Sequence, residues 1–171
     1  MLTEITPRVA TVVVLYNPDS APFAGLVLRA IEAAAPSFAM AVRAAPCRDD
    51  AEIDAMMTGL AREERGGVLV MPEIFTAVHR DVIVAAAARH RLPAVDPNRK
   101  SAANDELMSY GIDRLDLFRR TAAYADRILK GANPADLPVQ NPTKFELTIS
   151  LKTAKSLGIG SRRRCSPLPT R

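Results

Sequence analysis

Residues 9–16, VATVVVLY, are apolar at every position but Thr11, and they run straight into Asn17-Pro18-Asp19. A short valine-rich run without polar alternation reads as a strand buried on both faces, as in a parallel sheet lying between helices. The Asn-Pro-Asp triplet is a turn. Beyond it Ser20 is placed to cap a helix with Pro22 in its first turn. Phe23, Leu26, Val27, Ala30, Ile31 and Ala34 then recur at helical spacing.

The same alternation continues outward from this unit. Phe38 to Ala44 reads as a second strand, and Asp49 with Glu52 opens a helix in the manner of a capping box. Ile53, Met56, Met57 and Leu60 give that helix its buried stripe; Gly66-Gly67 breaks it before a short strand, Val68 to Met71. A further helix carries Val78, Val82, Ala85 and Ala86 and ends near His90. Leu92 to Val95 is the fourth strand, and Leu107 to Tyr110 the fifth, after a polar loop from Pro97 to Glu106. Asp113 caps a last long helix with Leu115, Phe118, Ala122, Ala125 and Leu129 on one face, and Gly131 stops it. Strands alternating with helices predict an α/β fold: a doubly wound, five-stranded parallel sheet, helices on both faces, in the order 2-1-3-4-5.

Bulk properties narrow the function. The chain has 171 residues and 48% apolar content, enough for one domain with a real core. No apolar run reaches the ~18 residues of a membrane span. The net charge of +4 is confined to Arg162, Arg163, Arg164 and Arg171. Residues 1–158 balance, so the folded part carries no basic footprint for nucleic acid. Cys47 and Cys165 are the only cysteines, and they leave the redox compartment open.

In open α/β sheets ligands bind beyond the carboxyl ends of the strands. The loops there hold Tyr16, Asn17, Asp19 and Ser20 after the first strand, and Glu73 and Phe75 after the third. Asp96, Asn98 and Arg99 follow the fourth, and Tyr110, Gly111 and Asp113 the fifth. Helix N-terminal N–H groups at this rim suit a ligand carboxylate. Ser20, Asp49 and Asp113 also read as helix caps. Catalytic and metal constellations are weak. His79 and His90 each sit beside an arginine on a face read as solvated, and zinc needs more ligands at suitable spacing. Ser109 has no nucleophile-elbow context. Gly158-Ile159-Gly160 follows a helix and lacks a third glycine. Asp105-Glu106 reads as solvated loop. A phosphoacceptor receiver would need clustered acids where only Asp19 stands.

Five segments in order carry a resemblance: VLYNPD (14–19), RHRLPAV (89–95), LMSYGID (107–113), ILKGANPADLPVQ (128–140) and PTKFELTISLKTAKSLG (142–158). In the last, a strand-like run from Phe145 to Ser150 passes into a helical patch, Leu151 to Leu157. Together they resemble the ABC-transporter substrate-binding protein family of the periplasmic-binding fold type I, the tryptophan/tyrosine-type uptake family. The resemblance runs from about Arg8 to Gly158 and implies the second of two lobes that close on a small solute. It implies residues 1–7 as the remnant of an inter-lobe helix, 8–132 as the ligand-binding lobe, and 133–158 as a hinge segment with closing strand and helix. Residues 159–171 are expected to be an aberrant, disordered tail; a shifted reading frame in GC-rich codons would restore a family-like ending.

The resemblance implies no enzyme and no cofactor. It implies a small-molecule ligand such as an amino acid, and an ABC permease as partner of the full-length protein. It carries over Tyr16, Asn17, Glu73, Tyr110, Gly111 and Asp113 as cleft-facing positions. Two departures weaken ligand retention: Asp96-Pro97-Asn98-Arg99-Lys100 replaces an aromatic-bearing loop, and Asp105-Glu106 replaces a glycine pair. The exposed hinge face is expected to favour self-association. Location is periplasmic by resemblance, and cytoplasmic for the chain as written, which opens without a signal peptide. An effector-binding sensory or regulatory domain of the same fold is the alternative, and an enzyme of flavodoxin-like topology the third reading.

Overall fold

The computed structural model describes residue 6 and residues 8–63, 65–97 and 107–159. Among these, six strands form one sheet in the order β2-β1-β3-β4-β5-β6. They are β1 (Thr11–Tyr16), β2 (Ala41–Pro46), β3 (Gly66–Val70), β4 (Ala94–Asp96), β5 (Met108–Ile112) and β6 (Phe145–Ile149). The first five run parallel in the expected order. The sixth corrects the five-stranded expectation: β6 adds to the edge antiparallel to β5, with Tyr110 opposite Leu147. FELTI is exposed or half-buried at every position, as an edge strand is.

Helices cover both faces. On one side α1 (Ala24–Ala34) packs Val27, Leu28 and Ile31 over Val14, Val42 and Leu69. On the other, α2 (Asp50–Ala61) and α4 (Arg80–Arg89) bring Ile53, Met57, Leu60, Ile83, Ala86 and Ala87 onto Val13, Leu15, Val68, Val70 and Ala94. Successive β1 residues thus feed opposite clusters, which is why the strand is apolar throughout. A third cluster joins Val95, Leu107 and Met108 to Ala154 of α6 (Leu151–Ser156), capped by Ser150.

Several local expectations shift. α1 starts at Ala24, four residues beyond Ser20, and has no side-chain cap; Phe23 and Leu26 lie off its buried stripe, 40% and 67% exposed. Residues 35–38 form a 3-10 turn ending at Ala39 with φ of 52°, so β2 begins later than Phe38. Gly66 and Gly67 begin β3 rather than merely ending a helix. A Cβ on Gly66 would meet the Leu60 side chain at 2.7 Å, so glycine lets α2 close onto the strand. The single helix expected after β3 is two, α3 (Ile74–Val78) and α4, meeting at His79; Val78 is exposed, and Ile83 and Val84 take the buried positions.

The long helix α5 (Arg114–Leu129) is capped by Asp113 as expected, yet buries no residue. Asp116, Arg120 and Tyr124 tie it to the returning segment through Lys144, Thr143 and the Pro138 carbonyl. Its apolar stripe faces the opposite way. The expectations for residues 1–5 and 7, for Asn98, Arg99, Asp105 and Glu106, and for the tail at 160–171 with Cys165 lie outside the described residues.

Candidate functional site

The carboxyl ends of β1, β3, β4 and β5 form one rim. Its centre is Glu73, the N-cap of α3. One carboxylate oxygen accepts from the N–H of Thr76 at 3.0 Å and of Asn17 at 3.4 Å. The other accepts from the Phe75 N–H at 2.6 Å and from the Ser20 hydroxyl at 2.7 Å. A single carboxylate therefore welds the loop after β1 to the loop after β3. Ser20, expected as the α1 cap, is drawn off by this partner. Asn17, 8% exposed, accepts from the Asp19 N–H at 2.8 Å and so fixes the turn. Asp19 itself is exposed and meets Arg48 at 3.3 Å.

Asn17, Ser20 and Glu73 thus come together with Asp19 beside them, while the Tyr16 side chain packs into the cluster of Val14, Ala21, Ala24 and Met71. Phe75 lies below them, 8% exposed, its ring 4.1 Å from that of His79. Asp96 is 2% exposed at the end of β4. Gly111 is a packing glycine: a Cβ there would sit 1.9 Å from the Pro97 carbonyl oxygen. Asp113 accepts from the Asp116 N–H, holding the start of α5. Tyr110, 39% exposed, stacks on Phe145 with ring centroids 5.7 Å apart, so β6 supplies its platform.

Sequence reasoning missed Arg48 as the partner of Asp19, and it missed the exposure of Phe23 and Ile74 in first turns at this rim. The available signal was position just after a strand end, since helical spacing alone puts Phe23 in line with Leu26 and Val27, and Ile74 in line with Val78. His79 is not merely solvated either, since Nδ1 lies 2.6 Å from Asp50, and His90 lies 3.4 Å from Thr58. Beside the rim, burial pushes the Cys47 thiol up to about 11, helped by the negative charges of Glu52 and Asp49. A cavity of about 280 Å³ lies at the other end of the sheet, lined by Val84, Ala87, Arg91, Leu107, Lys152 and Leu157. Among the described residues no three His, Cys, Asp or Glu side chains gather as a metal site, and no helix is long and apolar enough to cross a membrane.

An open sheet wound on both sides, with polar loops joined at its carboxyl rim, defines an α/β ligand-binding lobe. The chain belongs to the ABC transporter substrate binding protein family, whose model matches residues 1–170. No curated protein matches it. Among solved structures it is similar to an ABC domain in complex with L-Trp from Streptococcus pneumonia, at 24% identity and a TM-score of 0.80, over 93% of this chain and 55% of that one. A conserved domain protein from Vibrio cholerae gives 24% and 0.80, over 93% and 53%. The ligand-free, open form of a substrate binding protein with adhesive properties from Clostridium difficile gives 20% and 0.70, over 99% and 58%. The chain spans somewhat over half the length of these relatives, consistent with one lobe of the periplasmic-binding fold.

Proposed function

We propose that this chain is the second, solute-binding lobe of an ABC uptake system. It binds a small amino acid rather than turning over a substrate, and in its full-length form serves a permease outside the cytoplasmic membrane. The observation that carries this reading is the family match over residues 1–170. The geometry of the carboxyl rim supports it. α2, α3 and α5 have their first N–H groups engaged by Asp49, Glu73 and Asp113. α1 starts at the same rim without a side-chain cap, its Ala24 and Leu26 N–H groups donating to the Ala21 and Phe23 carbonyls. Exposed Asp19 is the partner for an ammonium group, and Phe23, Ile74 and Tyr110 offer apolar surface to a side chain. Glu73, Asn17 and Ser20 hold this arrangement, Tyr16 packs beside it under α1, and Phe75, Asp96 and Gly111 support it from behind.

A single lobe covers one side of a ligand, so the affinity expected is low, with a Kd of about 1 mM. The protein contains no tryptophan, so the fluorescence polarisation of L-tryptophan itself can be followed against the chain. Saturable binding that weakens about tenfold in Asp19→Asn supports the reading. No binding of L-tryptophan, or of a panel of other amino acids in competition, up to about 10 mM overturns it.

A further inference from the structure

We propose that the cavity at the amino end of the sheet is a second ligand site, for a small monocarboxylate with an apolar body, separate from the carboxyl rim. It measures about 280 Å³ and lies between α4, α6 and the starts of β4 and β5. Small-molecule pockets begin near ~300 Å³. Its floor is apolar, formed by the buried Val84, Ala87, Leu92, Ala94 and Leu107. Arg91 and Lys152 stand at its margin, both exposed, and the described residues that line it include no carboxylate. An apolar floor beneath two cations selects one ligand chemistry. A neutral hydrocarbon leaves the cations unused, and an inorganic anion leaves the floor wet. A carboxylate on a hydrocarbon body engages both.

The backbone supplies an independent argument. α4 ends in a turn in which the Leu92 N–H donates to the Ala87 carbonyl at 2.9 Å and the Arg91 N–H to the Ala88 carbonyl at 3.2 Å. Such a turn puts the residue after the helix cap in the left-handed region, where glycine is usual. α5 and α6 close in the same way and do use glycine, Gly131 with φ of 98° and Gly158 with φ of 69°. In α4 the residue is Arg91, with φ of 53°. A long cationic side chain is thus held at the cavity margin against the backbone's preference, and strain of that kind gathers at functional positions. Among the described residues no hydrogen bond or ion pair engages this side chain. A carboxylate seated over the floor does, and it ties the end of α4 to α6.

Titration of the full 171-residue chain with octanoate, followed by two-dimensional amide NMR, tests this. Shifts should saturate at Val84, Ala87, Leu107 and Leu157 with a Kd of roughly 0.1–1 mM. 1-Octanol and inorganic phosphate, each carrying half of the chemistry, should bind about tenfold more weakly. Arg91→Lys should keep the affinity within about threefold. Arg91→Gly should lose about tenfold in affinity while raising the urea midpoint, because glycine relieves the left-handed turn. A purely structural arginine would not move binding and stability in opposite directions. Ala88→Phe should fill the mouth and abolish binding, whereas Asp19→Asn at the rim should leave octanoate affinity unchanged, which separates this site from the proposed solute site. Absence of saturable shifts, shifts centred on the rim or on α5, or undiminished affinity in Arg91→Gly each overturn the proposal. Octanol binding as tightly as octanoate overturns the carboxylate class.

Discussion

Glu73 is the residue on which the rim depends. It accepts hydrogen bonds from two N–H groups of α3, from Asn17 and from Ser20. Glu73→Ala should cost about 2 kcal/mol in urea unfolding, and Ser20→Ala about 1 kcal/mol. Because they share one network, the double variant should cost less than the sum. Cys47 sets an alkaline limit. Its folded pKa is raised to about 11 by burial, so the thiol stays neutral in the native state while the unfolded thiol ionises near pH 9. That contribution is complete below about pH 9 and is lost as pH climbs toward 11. Cys47→Ala should flatten the fall in melting temperature across that window. Gly111→Ala should be severely destabilising, since its Cβ would collide with the Pro97 carbonyl; a melting curve within a degree or two of the parent would refute the packing role. At this scale sequence was a partial guide. Asp49, Glu52 and Asp113 act as local caps and were readable from spacing. Ser20 looked equally like a cap, and only the tertiary approach of Glu73 decides otherwise.

Elements were more legible where their period reports burial. The continuous apolar run of β1 states that both faces are covered, and they are. FELTI announces a strand at Phe145–Ile149, but nothing local says that it joins β5 antiparallel, because pairing partners are chosen across the chain. The stripe on α5 announces an apolar face without saying what covers it. α5 is instead latched on its polar side. Lys144 and Arg120 beside Asp116 hold its carboxyl below the usual range, the hydrogen bond from Lys144 contributing most. A lowered folded pKa means that this contribution is present above about pH 4 and is lost as pH falls through the folded value. Hydrogen exchange along α5 should therefore accelerate in acid, relative to β1 and β3, before the sheet unfolds. Lys144→Met should produce the same loosening at neutral pH, and unchanged exchange in that variant would show that the latch is idle.

For the whole molecule, the parallel sheet and its carboxyl rim followed from pattern alone, whereas the exposure of the α5 stripe among the described residues did not. The excursion that contains α5 begins and ends at one point: the Asp113 N–H donates to the Lys144 carbonyl at 2.9 Å. β5 and β6 lie side by side on either end of it. Ends that touch make the intervening stretch exchangeable without moving the sheet. Replacing residues 114–143 with a tight Asn-Gly turn should leave a six-stranded lobe with near-native circular dichroism and no helical appendage. The junction is thus a ready port in the scaffold, where a reporter, an affinity handle or a foreign loop could be grafted and its removal tolerated.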